Sequence, residues 1–409
     1  MDVRRPIALA CYLLVGVYFL FALYLLSGLT GPGRYYRSGV PAGGDFIRIW
    51  AGAALASQGH AVLVYQADQL KQEEIAVLGG DFPYRLPWHY PPSFLWLMRP
   101  IAALPYLVAL AVWLFIPLVA FLALLSRIYP DRLTIWLALA SIATAQNLFY
   151  GQGAFLVGFL LGGGLLWLDD SPLLAGLFWG LLANYKPHLA LLIPLALLAG
   201  RRWRALGAFA GASAALILVS AWVLGPDTWL AFGRDLPGAR LELGEAGLWD
   251  RMPTVFAAVR LGGGGAPLAL VVQLLTALAA AVGVGWVWRG PASLPFRAAV
   301  LVLGTLLLTP YAFNYDLTLL LLPLAWMARE GLEPPWGRRK QLMLGLVWLL
   351  PFLNLISVEL ARIHLAPLIL VAFLIYLLTG ATGEGRAAAA IASGQGPGFF
   401  DKNSYNLHN

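Results

Sequence analysis

"IALACYLLVGVYFLFALYLLSGL", residues 7–29, is the first long apolar run of the chain, and its length decides the class of fold. As a helix rising 1.5 Å per residue it covers about 34 Å, enough to cross a hydrocarbon core of ~30 Å. Arg4 and Arg5 precede it, as they would a secretory signal. The run is longer than a signal's apolar segment, however, and no A-x-A-like cleavage site follows, so it reads as a retained first span. The whole chain agrees: 60% of its 409 residues are hydrophobic and 11% charged, where soluble domains carry about 25% charged residues.

Working outward, further candidate spans fall at 101–125, 133–149, 154–168, 173–184, 188–200, 205–224, 267–288, 298–310, 316–328, 341–357 and 364–380. The expected fold is an all-α integral membrane bundle of about 10–13 transmembrane helices, with short interfacial helices in its outer loops. Residues 1–386 form one transmembrane domain, and 387–409, ending in the polar "GQGPGFFDKNSYNLHN", read as a disordered tail. The short spans around "LLANYKPHLALL", residues 181–192, are expected to be broken helices, which are tolerated where they line a cavity rather than face lipid. The glycines of "LLGGGLLW" read as close helix packing.

The formal charge of +7 does not point to nucleic acid, because the arginines sit in short clusters between apolar runs. "SRIYPDR", "GRRWR", "WRGPASLPFR" and "PPWGRRK" are rich in positive charge, while "NLFYGQG", "TPYAFNYD" and "SVELARIH" are poor in it. The positive-inside rule then puts the N-terminus in the cytoplasm of a bacterial inner (plasma) membrane protein. Two long loops, about 30–100 and 225–266, face the periplasm or exterior and hold most of the polar residues. A solute or lipid transporter would instead show paired repeats and charges at the midplane. Outer loops gathered on one face favour an enzyme, and the transporter or flippase is the alternative reading. The lone cysteine, Cys11, excludes an intrachain disulfide, and the scattered histidines do not suggest zinc. No Walker A loop occurs, and "RLGGGGAP" follows no strand that would support a dinucleotide reading.

The polar residues near the outer membrane edge are the candidates for chemistry. Asp45 precedes "FIRIWAGAALAS" and has two compatible readings: a helix N-cap and a carboxylate facing a cavity. Arg48 lies one turn on. Lys186 is the only lysine between residues 101 and 328, and it stands with Tyr185, Pro187 and His188 between two apolar helices. An ionisable group there is functional by default, against a lysine that snorkels to the interface. His89 and Tyr90 precede the double proline Pro91–Pro92, which forces an extended approach to the next span. Gln152 lies in the polar turn "FYGQG", Arg251 in the second long loop, and Asn314, Tyr315 and Asp316 at another outer edge, where Asp316 could be an N-cap. His364, with Arg362 and Glu359, reads as a solvated interfacial cluster.

Taken together, "GGDFIRIWAGAALASQGHAVLVYQ", "HYPPSFLWLMRPIAALP", "NLFYGQGAFLVGFLLGGGLLW", "AGLFWGLLANYKPHLALLIPLALLAGRRWRAL" and "TPYAFNYDLTLLLLP" resemble, in order and spacing, glycosyltransferase family 87. These are GT-C-type membrane mannosyltransferases. The resemblance implies an inverting transferase that moves mannose or another hexose from a polyprenyl-phosphate-sugar to a lipid or glycan acceptor on the outer membrane face. It implies that Asp45 is the catalytic base. Family members often carry a histidine in the loop matching "TPYAFNYD", where this chain has Asn314, Tyr315 and Asp316. With that reading, Lys186, Arg48, His188 and Arg251 are candidates for the donor phosphate, and His89, Tyr90, Gln152, Tyr185, Asn314, Tyr315 and Asp316 for substrate binding. A monophosphate leaving group needs less neutralisation than a pyrophosphate, so no metal or other cofactor is expected.

Overall fold

A computed structural model describes residues 4–30, 34–245, 248–329 and 338–392 of the chain. The described residues form α- and 3-10 helices with no strand. Five helices are long and apolar enough to cross a membrane: Arg4–Ser27, Tyr106–Ile128, Trp203–Leu224, Ala266–Arg289 and Lys340–Ala361. Shorter apolar helices include Ala154–Leu166, Pro172–Tyr185 and Leu294–Leu308. The helix Leu294–Leu308 buries ten residues from Ala298 to Leu307 in an unbroken run, as expected of a segment surrounded by other helices. By contrast the first helix buries only Cys11 and leaves Leu13, Phe19 and Leu20 more than 60% exposed. Trp222, on another long helix, is 86% exposed. Apolar surface on this scale is compatible with a lipid solvent and not with water.

Several local expectations are met, and the reasons are visible. The helix Pro172–Tyr185 ends at Lys186, because Pro187 has no N–H to continue the ladder; a short turn Pro187–Ala190 and the helix Leu192–Ala199 follow. Pro91 is extended at φ −61°, ψ 154° and Pro92 opens the helix Pro92–Met98. A Cβ on Gly164 would lie 2.2 Å from Trp179 Nε1, and one on Gly163 would lie 2.9 Å from Phe178. These glycines on the helix Ala154–Leu166 make room for the Phe178 and Trp179 rings of the helix Pro172–Tyr185. The span placed at 133–149 is two helices, Arg132–Ala140 and Ile142–Phe149, interrupted at Ser141. The final helix runs to Ala392, past Arg386 where the tail was placed. The rest of that tail lies outside the described residues, as does the start of "PPWGRRK".

Charged loops gather at one end. Arg4 pairs with Asp131 at 3.3 Å, and Arg202 with Asp169 at 2.7 Å. Ser126, Arg127 and Asp170 line one cleft. Gly200 lies against Trp288, whose indole N–H donates to the Arg297 carbonyl at 3.1 Å. The N-terminus and three of the arginine-rich loops therefore share a face.

The two long loops, 30–100 and 225–266, are largely helical. The first holds Phe46–Ser57, Ala67–Leu78 and Pro92–Met98; the second holds Pro226–Glu245 and Val255–Leu261. They pack together, with Tyr65 and Phe232 rings 5.8 Å apart and His89 Nδ1 3.9 Å from Asp235.

Candidate active site

Two glycine turns build the site. Gly43 and Gly44 take φ of +77° and +49°, and Gly151 takes +63°. These left-handed values are open to glycine at little cost. The turns also interlock: a Cβ on Gly151 would fall 1.9 Å from the Gly43 carbonyl oxygen, and one on Gly44 would fall 3.1 Å from Tyr150. The Asp45 N–H donates to the Tyr150 carbonyl at 3.0 Å. Trp113 donates to the Gly151 carbonyl at 3.0 Å, and Tyr106 to that of Ala42 at 2.6 Å. Both turns are thus pinned from the interior.

This closure brings Gln152 to Asp45. The buried Gln152 amide donates to Asp45 Oδ2. The same oxygen accepts from Arg48 Nη2 at 3.4 Å. The side chain of Asp45 makes no capping bond to the helix Phe46–Ser57, although it stands at the N-cap position. The N-cap reading is corrected here: the carboxylate turns instead to Arg48 and Gln152. Asp45 keeps 28% of its side-chain surface exposed, so it remains reachable.

Below it is a cluster of rings and charges. Arg48 lies 5.6 Å from the Tyr90 ring centroid. Tyr90 stacks on Tyr185 at 5.5 Å, and Phe94 on Tyr185 at 4.3 Å. Lys186 Nζ is 5.2 Å from the Tyr315 ring and donates to Asp316 Oδ1 at 2.9 Å, with only 5% and 1% of the two side chains exposed. Lys186 is therefore neither snorkelling nor without a protein partner: Asp316 answers its charge. Asp316 is not an N-cap, since its second oxygen reaches back to accept from the Phe313 N–H at 2.9 Å.

The sequence pattern of glycosyltransferase family 87 matches residues 88–310, more than half of the chain. The chain belongs to glycosyltransferase family 87. It is a membrane glycosyltransferase, which sets the transporter reading aside. No curated protein and no solved structure is matched by the chain. The family match spans Tyr90, Gln152 and Lys186; Asp45 lies before it and Asp316 after it. Geometry joins those two residues to the matched region, Asp45 through Gln152 and Asp316 through Lys186.

The remaining candidates lie around this centre. Arg251 is exposed at the end of the 3-10 turn Leu248–Arg251, within electrostatic reach of Tyr84, which also feels Asp45 and Glu74. His89 faces Asp235 across the two outer loops. His188 is half-buried in the turn after Lys186. Asn314 accepts from Asn354 Nδ2 at 3.1 Å. Asn354 in turn lies 3.3 Å from His364 Nδ1, and His364 Nε2 is 2.5 Å from the Trp249 carbonyl. His364 is only 2% exposed, so the solvated cluster expected there is corrected: the ring joins the second outer loop to the bundle. Among the described residues, no group of histidine, cysteine and acidic side chains is arranged to hold a metal ion.

Sequence reasoning missed Glu74, Asn354 and the burial of His364. A signal for Glu74 existed. On the helix Ala67–Leu78 the buried residues are Leu70, Glu74, Val77 and Leu78, an i, i+4, i+7, i+8 stripe with an acid inside it.

Proposed function

We propose that this family 87 transferase is an inverting hexosyltransferase. It takes mannose or another hexose from a polyprenyl-phosphate-sugar and passes it to a hydroxyl of a lipid or glycan at the outer face of a bacterial plasma membrane. The supporting observation is the Asp45 carboxylate, free of its helix cap, held by Gln152 and Arg48, and open to the outer loops.

The chemistry follows from that placement. An acceptor hydroxyl holds its proton firmly at neutral pH, so a positioned base must remove it as the new bond forms. The acceptor oxygen attacks the anomeric carbon and its proton passes to Asp45. The bond from that carbon to the phosphate oxygen breaks, and its electron pair leaves with the polyprenyl phosphate. Attack from the face opposite the phosphate inverts the anomeric centre. Fixed cations favour the growing phosphate charge. Arg48 serves here, with Lys186 behind it, where Asp316 holds the ammonium in place and the incoming phosphate becomes its second anion. Tyr90, Tyr185, Tyr315 and Asn314 frame the sugar, while His89, His188 and Arg251 border the groove. A monophosphate leaving group asks for no obligatory divalent metal, so transfer should survive chelation.

The test is to incubate the purified protein with a panel of radiolabelled polyprenyl-phosphate sugars and a membrane lipid extract. Transfer from one donor, undiminished by EDTA, is the expected result. Transfer only from nucleotide sugars would overturn the donor class.

A further inference from the structure

Glu74 and Arg48, on two packed helices, both carry buried side-chain atoms with unmet hydrogen bonds. Glu74 has no exposed surface, and neither of its carboxyl oxygens has a partner. Its helix neighbour Lys71 does not relieve it, because that ammonium donates to the carbonyls of Phe82 and Tyr84 at 2.8 and 3.0 Å and pairs with Asp81 at 3.1 Å. On the facing helix Phe46–Ser57, Arg48 Nε is buried without a partner. Its other nitrogens are only loosely engaged: Nη2 lies 3.4 Å from Asp45 and Nη1 3.4 Å from the Pro87 carbonyl. The two helices pack on each other, and Glu74 lies within electrostatic reach of both Arg48 and Asp45. A buried carboxyl with no hydrogen bond is expensive, and an apolar residue would fill the same stripe at less cost. The pattern has a ready use if the guanidinium has a second position.

We propose that Glu74 is a positioning residue acting through Arg48: it takes up the guanidinium when an acceptor hydroxyl replaces it at Asp45. The inference rests on the reading of Asp45 as the base. Arg48 and Gln152 both donate to the same Asp45 oxygen, Oδ2. A loose contact at 3.4 Å is easily exchanged. Arg48 moving toward Glu74 opens one of the two donor positions at Oδ2 to the hydroxyl, while Gln152 still holds the carboxylate and the positive charge stays in the site for the phosphate.

The experiment is a double-mutant cycle on the full chain, assayed with polyprenyl-phosphate-[3H]mannose and a membrane lipid extract. Glu74→Gln should lower kcat about tenfold with the donor KM changed less than about twofold, the mark of an interaction made on the way to the transition state. In an Arg48→Lys background it should have no further effect, because the two act as one unit. Glu74→Met, close in volume, should show the same kcat loss with a Tm equal to or above wild type. Full turnover in Glu74→Gln, or losses that multiply in the double variant, would overturn the proposal. So would a Tm drop in both Glu74 variants that tracks the activity loss. An Asp45→Asn control separates the two readings. Normal transfer there removes the base assignment and this inference with it. A dead Asp45→Asn beside a fully active Glu74→Gln removes this inference alone.

Discussion

Asp45 and Gln152 stand 107 residues apart in the chain, yet the Gln152 amide donates to the Asp45 carboxylate. The contact exists because the Gly43–Gly44 turn and the Gly151 turn close on each other, with room for no side chain at Gly151. Asp45→Asn should leave the fold intact, since the carboxylate caps no helix and asparagine keeps the size of the group. Turnover should fall at least ~100-fold, the scale of a lost general base. Single-turnover transfer against a Tm measured on the same preparation decides it; near-normal transfer in a folded variant would discard the assignment. Gly151→Ala should lower both Tm and transfer, because its Cβ meets the Gly43 carbonyl and its φ is positive.

The Lys186–Asp316 pair makes a different prediction. With 5% and 1% of the side chains exposed, removing one partner strands a buried charge. Losses of about 3–5 kcal/mol are typical of such a break. Lys186→Met and Asp316→Leu should each lower Tm sharply, while the double variant should recover most of the loss. The recovered double variant then reports on the phosphate. If Lys186 helps hold the donor, its KM for polyprenyl-phosphate-sugar stays raised although the fold is restored. A wild-type KM would leave Lys186 a structural partner of Asp316 and move the phosphate site to Arg48 and Arg251.

Much of this site was legible before the structure, for definable reasons. Lys186 is conspicuous because no other lysine interrupts the apolar body, and Pro187 announces the helix break beside it. Asp45 stands out at the end of the first span. What stayed hidden was pairing across the chain. Nothing local joins Lys186 to Asp316, or the "FYGQG" turn to Asp45; helices that pack along glycine faces set those distances. His364 misled because it sits among Glu359 and Arg362, which suggested water. Its ring is instead sequestered between Asn354 and the Trp249 carbonyl, contributed by a helix interior and by the distant second loop. Glu74 was obscured by its polar helix, where Lys71 and Glu73 are charged neighbours that stay only partly buried while Glu74 is wholly buried.

The buried Glu74 carboxyl links stability to pH. Burial pushes it from 4.5 up to about 8, against the pull of Lys71 and Arg48 and with reinforcement from Asp45. Below about 4.5 both folded and unfolded chains hold the proton, so burial carries no ionisation cost. Between about 4.5 and about 8 only the unfolded chain releases it, and stability from this group falls as pH rises; above about 8 the slope ends. Tm measured in detergent from pH 5 to 8 should therefore decline less steeply in Glu74→Gln than in the wild type. Parallel curves would show that Glu74 titrates normally, which its burial beside Lys71, Arg48, Asp45 and Tyr84 argues against.

Sidedness is open to direct measurement. Arg4, Asp131, Asp169 and Arg202 mark one face through their ion pairs. On the proposed reading, the positive charge concentrated there puts that face in the cytoplasm. Asp45 and the two long loops would then face the periplasm or exterior, where a hydroxyl of a surface lipid or glycan could reach the proposed base. Cys11 is buried, so the natural chain offers little background for thiol labelling. Ser38 and Asp170 are both exposed and belong to opposite ends of the bundle. In cells with a permeabilised outer membrane, a membrane-impermeant maleimide should label Ser38→Cys and leave Asp170→Cys untouched until the inner membrane is opened. Labelling of Asp170→Cys in intact spheroplasts, with Ser38→Cys protected, would put the Asp45 site in the cytoplasm. A nucleotide-sugar donor would then be the natural substrate, and the lipid-linked donor proposed here would fall.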